Sequence, residues 1–177
     1  MTSNKKSKRP TIFSTHDDYM TPRSAWENIK EYIPENKVIW EAFYGDGQSG
    51  KDLQDILKEK NRVIHEPIDF FKNLPDGTEL IQSNPPFSCK KEIFTRLREL
   101  DLPFIMICPV CMLITQYIRQ LFSDTEHRLQ IIIPRKRIQF IKLVDGKIPD
   151  NWKSQCNFDC FYYCYKINLE RDITWLE

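Results

Sequence analysis

The chain lacks both an excess of charge of one sign and any long hydrophobic run. Its 26 Lys and Arg residues are balanced by 25 Asp and Glu residues, and the formal net charge of +1 argues against a broadly basic surface. No apolar stretch is long enough to span a bilayer, and the N-terminus carries no apolar region of the kind found in signal peptides. We therefore expect an intracellular protein without membrane contact.

The sequence also lacks the paired motifs that usually hold a metal ion. Cys108 and Cys111 have the spacing of zinc ligands, but a second Cys-x-x-Cys pair is missing, and Cys is a common core residue. The i, i+4 series Cys156, Cys160 and Cys164 keeps a metal cluster open as the less favoured alternative. Because nothing indicates secretion, we expect reduced cysteines and no metal.

Internal repeats are absent as well, and the length indicates one domain. The 177 residues, 41% of them hydrophobic, are enough for a compact core and too few for a separate large recognition domain. We expect a single domain over residues 13–177, preceded by a flexible basic arm over residues 1–12. The arm is either an ordinary disordered tail or a local basic contact, formed by Lys5, Lys6, Lys8 and Arg9.

What the sequence does contain is an alternation of short apolar runs with amphipathic segments. Residues 38–40 predict a buried strand, followed by a glycine turn over 41–47 and a helix from about Lys51 to Lys60. Residues 62–65 predict a second strand. Strands that alternate with helices imply a parallel sheet, so the pattern predicts an α/β fold.

The glycine turn has the composition of a ligand-binding segment. Gly45 and Gly47 would let the backbone approach a ligand closely. The carboxylates of Glu41 and Asp46 suit the cationic end of a cofactor better than a pyrophosphate. Glu66 ends the second predicted strand about 20 residues beyond the glycines, where a doubly wound fold places its ribose-binding acid.

The most informative motif is Asn84-Pro85-Pro86-Phe87, directly after the apolar run 80–83. An Asn amide oxygen and a Pro carbonyl are free acceptors, and successive prolines hold both in place before a substrate arrives. Two fixed acceptors that bind the N–H groups of a planar amine can draw its nitrogen lone pair out of conjugation. Phe87 offers a flat face for an unstacked base. The motif indicates an enzyme that methylates an amine; the alternative is that Pro-Pro ends a strand and Phe87 is core.

Together these segments resemble the S-adenosylmethionine-dependent amino-methyltransferases that act on N6 of adenine, in particular the small viral and phage Dam-like group. The resemblance covers roughly residues 15 to 168. Residues 84–87 match the family's catalytic Asn-Pro-Pro-Phe motif, and residues 41–47 match its acid-Pro-Phe-x-Gly-x-Gly cofactor turn, with Ala42 in the Pro position. The resemblance implies a Rossmann-like class I methyltransferase with a mostly parallel sheet, and S-adenosyl-L-methionine as its cofactor.

The resemblance also assigns roles to individual residues. Residues 17–22, followed by a helix near 24–33, resemble the segment that closes over the methionine end of the cofactor. Asp69 and Phe70 resemble the adenine-binding acid and its hydrophobic neighbour, while Glu66 would bind the ribose, with His65 and Asp69 close enough to compete. The implied catalytic residues are Asn84, Pro85, Pro86 and Phe87; the implied cofactor-binding residues are Tyr19, Thr21, Pro22, Glu41, Phe43, Gly45, Gly47, Glu66, Asp69 and Phe70.

The order of elements in that family also accounts for the downstream half. It predicts a buried parallel strand over 103–108, a further strand over 127–134, and an antiparallel hairpin that joins 138–143 to 157–169. Helices are predicted near 90–100 and 112–122. Arg137 and Phe140 fall where the family lines its target-base pocket, although a basic turn followed by a solvated edge strand explains them equally well.

Nucleic acid is the partner that the resemblance implies, with DNA favoured over RNA, and a homodimer or a heteromeric partner subunit is compatible with it. Three alternatives stay open. The motif also occurs in enzymes that methylate a glutamine amide, the base amine of cytosine or RNA adenine. A catalytically idle partner of an active subunit is the second alternative, and an adaptor domain with chance motifs is the third.

Overall fold

A computed structural model describes residues 19–124, 126, 128–142, 148, 150 and 158–177. The predicted arm over 1–12 lies outside the described residues, as do residues 17 and 18 and Cys156. The strands are β1 (Tyr19–Met20), β2 (Val38–Trp40), β3 (Arg62–Ile64), β4 (Leu80–Ser83), β5 (Phe104–Pro109), β6 (Gln130–Ile133), β7 (Ile141–Lys142), β8 (Cys160–Tyr165) and β9 (Ile173–Trp175). The helices are α1 (Arg23–Glu27), α2 (Gln48–Leu57), α3 (Lys90–Leu100) and α4 (Gln116–Phe122).

Seven of the strands form one sheet in the order β3-β2-β4-β5-β8-β6-β9. Neighbours pair in parallel except at β8, which lies antiparallel between β5 and β6. The chain passes from β2 outward to β3 and then returns to the other side of β2 to form β4, so the strand order reverses between β2 and β4. The predicted fold class, a Rossmann-like α/β fold with a mostly parallel sheet, is confirmed.

The predicted partner of the antiparallel strand was wrong. The expected hairpin joined 157–169 to 138–143, but β8 pairs with β5 and β6, while β7 pairs antiparallel with β1 in a separate two-stranded sheet. The reason is burial: five of the six residues of β8 are buried, which suits a central strand covered on both faces, whereas both residues of β7 are only half-buried. The β1–β7 pair brings residues near 19 and 140 together.

Helices cover both faces of the sheet. The core on one face is formed by α1 and α2, through Trp26 and Leu53, against sheet residues such as Ile105. On the other face, α3 and α4 pack through Phe94 and Phe122 against a second buried cluster. Because helices cover both faces of the sheet, the ends of its strands remain as the place for a ligand. Among the described helices, none combines the length and the apolar character needed to cross a membrane.

Candidate active site

A cavity of about 690 Å³ lies at the carboxyl ends of β2, β3 and β4. Segments that follow these three strands form its wall, together with β1 and the residue after it. This is the point where the strand order reverses, and open α/β sheets bind their ligands at such points. Its volume is in the range of pockets for small molecules. The lining residues are Tyr19, Met20, Thr21, Glu41, Ala42, Phe43, Tyr44, Gly45, Asp46, Ser49, Pro67, Ile68, Asp69, Phe70, Phe71, Asn84, Pro85, Pro86, Phe87 and Cys89.

Most of the site residues predicted from the sequence converge on this cavity. Eleven of them line it: Tyr19, Thr21, Glu41, Phe43, Gly45, Asp69, Phe70, Asn84, Pro85, Pro86 and Phe87. Five do not line it: Pro22, Gly47, Glu66, Arg137 and Phe140. The convergence follows from the sheet, because the carboxyl ends of neighbouring parallel strands meet at one edge.

Asn84 presents a hydrogen-bond acceptor at the end of β4. Its Oδ1 atom is buried and has no hydrogen-bond partner among the described residues. Pro85 is buried and lines the same cavity, and Pro86 has the extended backbone (φ −60°, ψ 133°) expected of a proline before a turn. The chain then makes a short 3₁₀ turn over Phe87–Cys89 and enters α3. A buried acceptor without a partner is costly, which indicates that a donor from a ligand belongs there.

Glu41 is a buried carboxyl group in the wall of the cavity. Its side chain is 1% exposed, its Oε1 atom accepts a 2.5 Å hydrogen bond from the Ser83 hydroxyl, and its Oε2 atom has no partner within the described part of the chain. Burial raises the pKa of Glu41 to about 8; the hydrogen bond from Ser83 opposes that rise and the charge of Asp46 adds to it. A buried carboxylate needs a cation or further donors, so this group fits an ammonium ligand.

Aromatic rings form another part of the cavity wall. The Phe43 and Phe70 rings lie 4.8 Å apart at an interplanar angle of 41°, and Phe71 meets Phe70 edge to face at 5.4 Å. Phe70 is buried, whereas Phe71 is 47% exposed. These flat apolar surfaces suit a planar heterocycle.

Asp69 places a carboxylate at the edge of these rings. Its Oδ1 atom accepts the Phe71 backbone N–H at 3.0 Å, and its Oδ2 atom lies 2.9 Å from Lys72 Nζ. The hydrogen bond from Lys72 lowers the pKa of Asp69, with a smaller contribution from the Phe71 amide. Asp69 is therefore an ionised acceptor for a donor on the rim of a bound heterocycle.

Phe87 belongs to a cluster of four aromatic rings with Tyr19, Phe140 and Phe158. Phe158 meets Phe87 edge to face at 5.2 Å, and Phe140 does so at 6.5 Å. Tyr19 completes the group through contacts with Phe140 and Phe158 at 6.4 Å and 5.6 Å. Phe140 is 1% exposed and does not line the cavity, but it contacts Phe87 and Tyr19, which do. Its assignment as a substrate contact stays a prediction, and what the structure shows is a supporting ring.

The remaining predicted residues, Gly47, Glu66, Pro22 and Arg137, do not line the cavity and have other locations or contacts. Gly47 precedes α2 with φ of +80°, and a Cβ there would lie 2.7 Å from the Tyr44 ring, so this glycine shapes the turn beneath a lining residue. Glu66 is exposed, and Pro22 directly precedes α1. Arg137 forms a two-point ion pair with Asp159, with Nε–Oδ1 of 2.7 Å and a second contact of 3.1 Å.

Ser83 and Phe158 are two of the contributors that sequence reasoning missed, besides lining residues such as Phe71. Ser83 was treated only as the end of an apolar run, although a polar residue in a buried strand directly before the Asn-Pro-Pro-Phe motif was a usable signal. Phe158 was expected only as part of the antiparallel segment over 157–169, and its contact with Phe87 depends on a distant part of the chain that no local pattern reveals. In the described part of the chain, no three side chains of the metal-binding types come together.

Comparisons with known proteins agree on little beyond the type of fold. No protein-family model and no curated protein matches the chain. Among solved structures, an S-adenosylmethionine-dependent O-methyltransferase from Thermotoga maritima is 11% identical with a TM-score of 0.43, and the match covers 81% of this chain and 64% of that one. A protein from Listeria monocytogenes described as a class I S-adenosylmethionine-dependent methyltransferase is 12% identical with a TM-score of 0.46, covering 93% and 66%.

A precorrin-6y C5,15-methyltransferase from Geobacter metallireducens GS-15 is 11% identical with a TM-score of 0.43, covering 89% of this chain and all of that one (100%). The chain thus spans just under two thirds of the length of the first two structures, at 64% and 66%. Similarities this low carry no argument about substrate or chemistry.

Proposed function

We propose that this protein is an S-adenosylmethionine-dependent methyltransferase that acts on the N6 amine of adenine in a nucleic acid, with DNA favoured over RNA. The observation that supports it most is the buried, unpartnered Oδ1 atom of Asn84, in the same cavity as the buried carboxyl group of Glu41. The first suits a donor on the target, and the second suits a cation on a cofactor.

The cofactor half of the proposal is supported by the chemistry of the wall. Glu41 would bind an ammonium group, and the rings of Phe43 and Phe70 would hold a planar base, with Asp69 accepting a hydrogen bond at its edge. These residues fit the amino-acid end and the adenine end of S-adenosylmethionine. When bound, that cofactor supplies an electrophilic methyl group.

The catalytic half is supported by the residues that would meet the amine. The Oδ1 atom of Asn84 and the carbonyl of Pro85 accept the two N–H bonds, which directs the nitrogen lone pair toward the methyl donor. Positioning of this kind accounts for the rate enhancement, without a covalent intermediate. Asn, Pro and Phe do not titrate, so the proton that the amine loses during transfer goes to water.

Adenine is the proposed target because Phe87 lies beside the acceptors as a flat ring that is held by other rings. A base can stack there only after it has left its helix. Because the net charge is only +1, we expect a small basic patch, not the whole surface, to contact the nucleic acid. The exposed Arg135 and Lys136 are candidates for that contact. The preference for DNA and a homodimeric or heteromeric assembly are part of this proposal and derive from the Dam-like resemblance; an intracellular location is proposed with them.

An idle partner subunit is the second candidate function. It would bind the cofactor without transferring a methyl group, and the complete Asn84 to Phe87 motif in the cavity favours the active enzyme over it. A glutamine amide presents the same planar N–H donors as adenine, but the ring of Phe87 favours a flat base.

The test is to incubate the purified protein with methyl-labelled S-adenosylmethionine and, in separate reactions, duplex DNA, single-stranded DNA, RNA and a protein extract. Digestion and mass spectrometry then identify the labelled product. N6-methyladenine in one nucleic acid is the expected result and identifies the polymer. Label in glutamine or cytosine would contradict the adenine assignment, and cofactor binding without any product would favour the idle partner.

A further inference from the structure

Ser83 links Glu41 and Phe43, to which its hydroxyl bonds, with Asn84, which follows it in the chain. It is the last residue of β4, it is fully buried, and it directly precedes Asn84. Its O–H donates to Glu41 Oε1 at 2.5 Å, and its oxygen accepts the backbone N–H of Phe43 at 3.2 Å. A serine hydroxyl has one donor and two acceptor positions, so both bonds can form at once.

These two hydrogen bonds join β4 to the segment after β2, beyond the last backbone-paired residues of the two strands. The paired residues of β2 and β4 are Ile39 with Leu80 and Trp40 with Ile81. On its other side Ser83 is paired with Met106 of β5. The hydroxyl of Ser83 therefore ties the end of β4 to the segment after β2, where the ladder no longer does so.

The same hydroxyl also affects the charge state of Glu41. A carboxylate buried in the cavity wall is stabilised by each donor that reaches it. The Ser83 hydrogen bond lowers the pKa of Glu41, whereas burial and the charge of Asp46 raise it. Without this donor, Glu41 would ionise only at a higher pH.

We propose that Ser83 is a positioning residue that fixes the Glu41 carboxylate and the Phe43 backbone relative to Asn84. Ser83 bonds to Glu41, which would bind the cofactor, and directly precedes Asn84, which would bind the target amine. It therefore keeps these two groups at a constant separation. The proposal rests on the proposed function for the identity of the two ligands. The link between Ser83 and Glu41 is independent of it.

The test measures the ionisation of Glu41 in three variants at residue 83. Ser83→Ala removes the hydroxyl, Ser83→Cys keeps the size with a weak donor, and Ser83→Thr keeps the hydroxyl. The thermal midpoint of the ligand-free protein is recorded from pH 4 to 10, and calorimetry gives the affinity for S-adenosylmethionine over the same range. Asp46→Asn is the control, because removing its charge should move the titration of Glu41 to lower pH.

In Ser83→Ala and Ser83→Cys, the titration is expected to move up by about one pH unit or more, the shift that follows loss of a charge-assisted hydrogen bond. Cofactor affinity at pH 7 is expected to fall about tenfold, and Ser83→Thr should restore both values. If Ser83→Ala does not fold, Ser83→Cys gives the same measurement.

Equal titration curves in wild type, Ser83→Ala and Ser83→Cys would overturn the inference. Failure of the wild type to bind S-adenosylmethionine at any pH would instead overturn the proposed function. The unfolding titration of the ligand-free protein would then still decide whether Ser83 controls Glu41.

Discussion

The ring of Phe140 meets the ring of Phe87 edge to face, with centroids 6.5 Å apart and planes at 89°. Phe140 is buried and also contacts Tyr19 and Phe158, so three rings fix its position. Phe87 is thereby held from behind by a residue that no ligand in the cavity would touch. Specificity for a base at Phe87 should therefore depend on Phe140 indirectly.

Replacement of Phe140 by Leu should weaken the use of nucleic acid without affecting the cofactor. The smaller side chain leaves the fold intact, at a cost of about 1 kcal/mol in stability, but allows the Phe87 ring to tilt. We expect KM for the nucleic acid to rise severalfold while the cofactor Kd changes less than twofold. Steady-state kinetics and calorimetry measure the two quantities.

Phe122→Leu is the matched control, because Phe122 is a buried Phe in the core on the opposite face of the sheet. A similar loss of stability with unchanged KM is expected there. If both variants raise KM equally, the effect comes from general loosening, and the supporting role of Phe140 is wrong.

The buried Glu41 should make the ligand-free protein less stable at alkaline pH. Its pKa is about 8 in the folded protein against an ordinary value of 4.5, so between these values only the unfolded chain has lost the proton. Stability from this group is complete below 4.5 and is lost as pH rises through 8, at roughly 1.4 kcal/mol per pH unit. Glu41→Gln removes this dependence, so its stability relative to wild type should grow with pH.

Chemical denaturation at pH 5, 7 and 9 tests this prediction, with Glu59→Gln as a control because Glu59 is an exposed carboxylate. If the free energies of unfolding of Glu41→Gln and the wild type differ by the same amount at all three pH values, the prediction of a buried carboxyl group without a cationic partner is wrong. The same Glu41→Gln variant should also bind S-adenosylmethionine more weakly, since it cannot pair with an ammonium group.

Phe71 should contribute to cofactor affinity although it is half exposed. It lines the cavity and meets Phe70 edge to face. Loss of one aromatic contact of about 0.5–1.5 kcal/mol predicts an affinity reduced by roughly twofold to tenfold in Phe71→Ala. Thermal stability should change little, because the ring is 47% exposed.

Leu74→Ala is the comparison for Phe71→Ala, since Leu74 is 39% exposed, belongs to the same loop and does not line the cavity. Calorimetric titration should give Leu74→Ala the affinity of the wild type. If the two variants bind equally, the aromatic end of the cavity does not hold the cofactor.

Local sequence patterns were enough to predict the strands and the turn that form the cavity. The run 38–40 is a strand as expected, and the turn that follows it meets the Asn-Pro-Pro-Phe segment in one wall. This part was predictable because residues at the carboxyl ends of parallel strands converge wherever the sheet is formed in that order. Helix bounds were less accurate: α1 ends at Glu27, although helix was expected to about residue 33.

Long-range pairing could not be read from the sequence in the same way. The partner of residues 141–142 is Tyr19–Met20, more than a hundred residues away, and two half-buried residues carry too little pattern to specify it. The ion pair of Arg137 with Asp159 joins residues 22 positions apart, so no local motif indicates it; the role of Arg137 as a substrate contact stays a prediction. Ser83 shows the same limit, because its two partners lie 40 and 42 residues upstream.

The central claim is that the Asn84 amide oxygen orients the target amine. Its most direct test is to measure single-turnover methyl transfer and calorimetric cofactor affinity in Asn84→Ala beside the wild type, on the nucleic acid that the product analysis identifies. We expect transfer to fall by at least about 100-fold, as when a preorganised electrostatic contact is removed, while cofactor Kd stays within about twofold. Transfer at the wild-type rate in Asn84→Ala would contradict it.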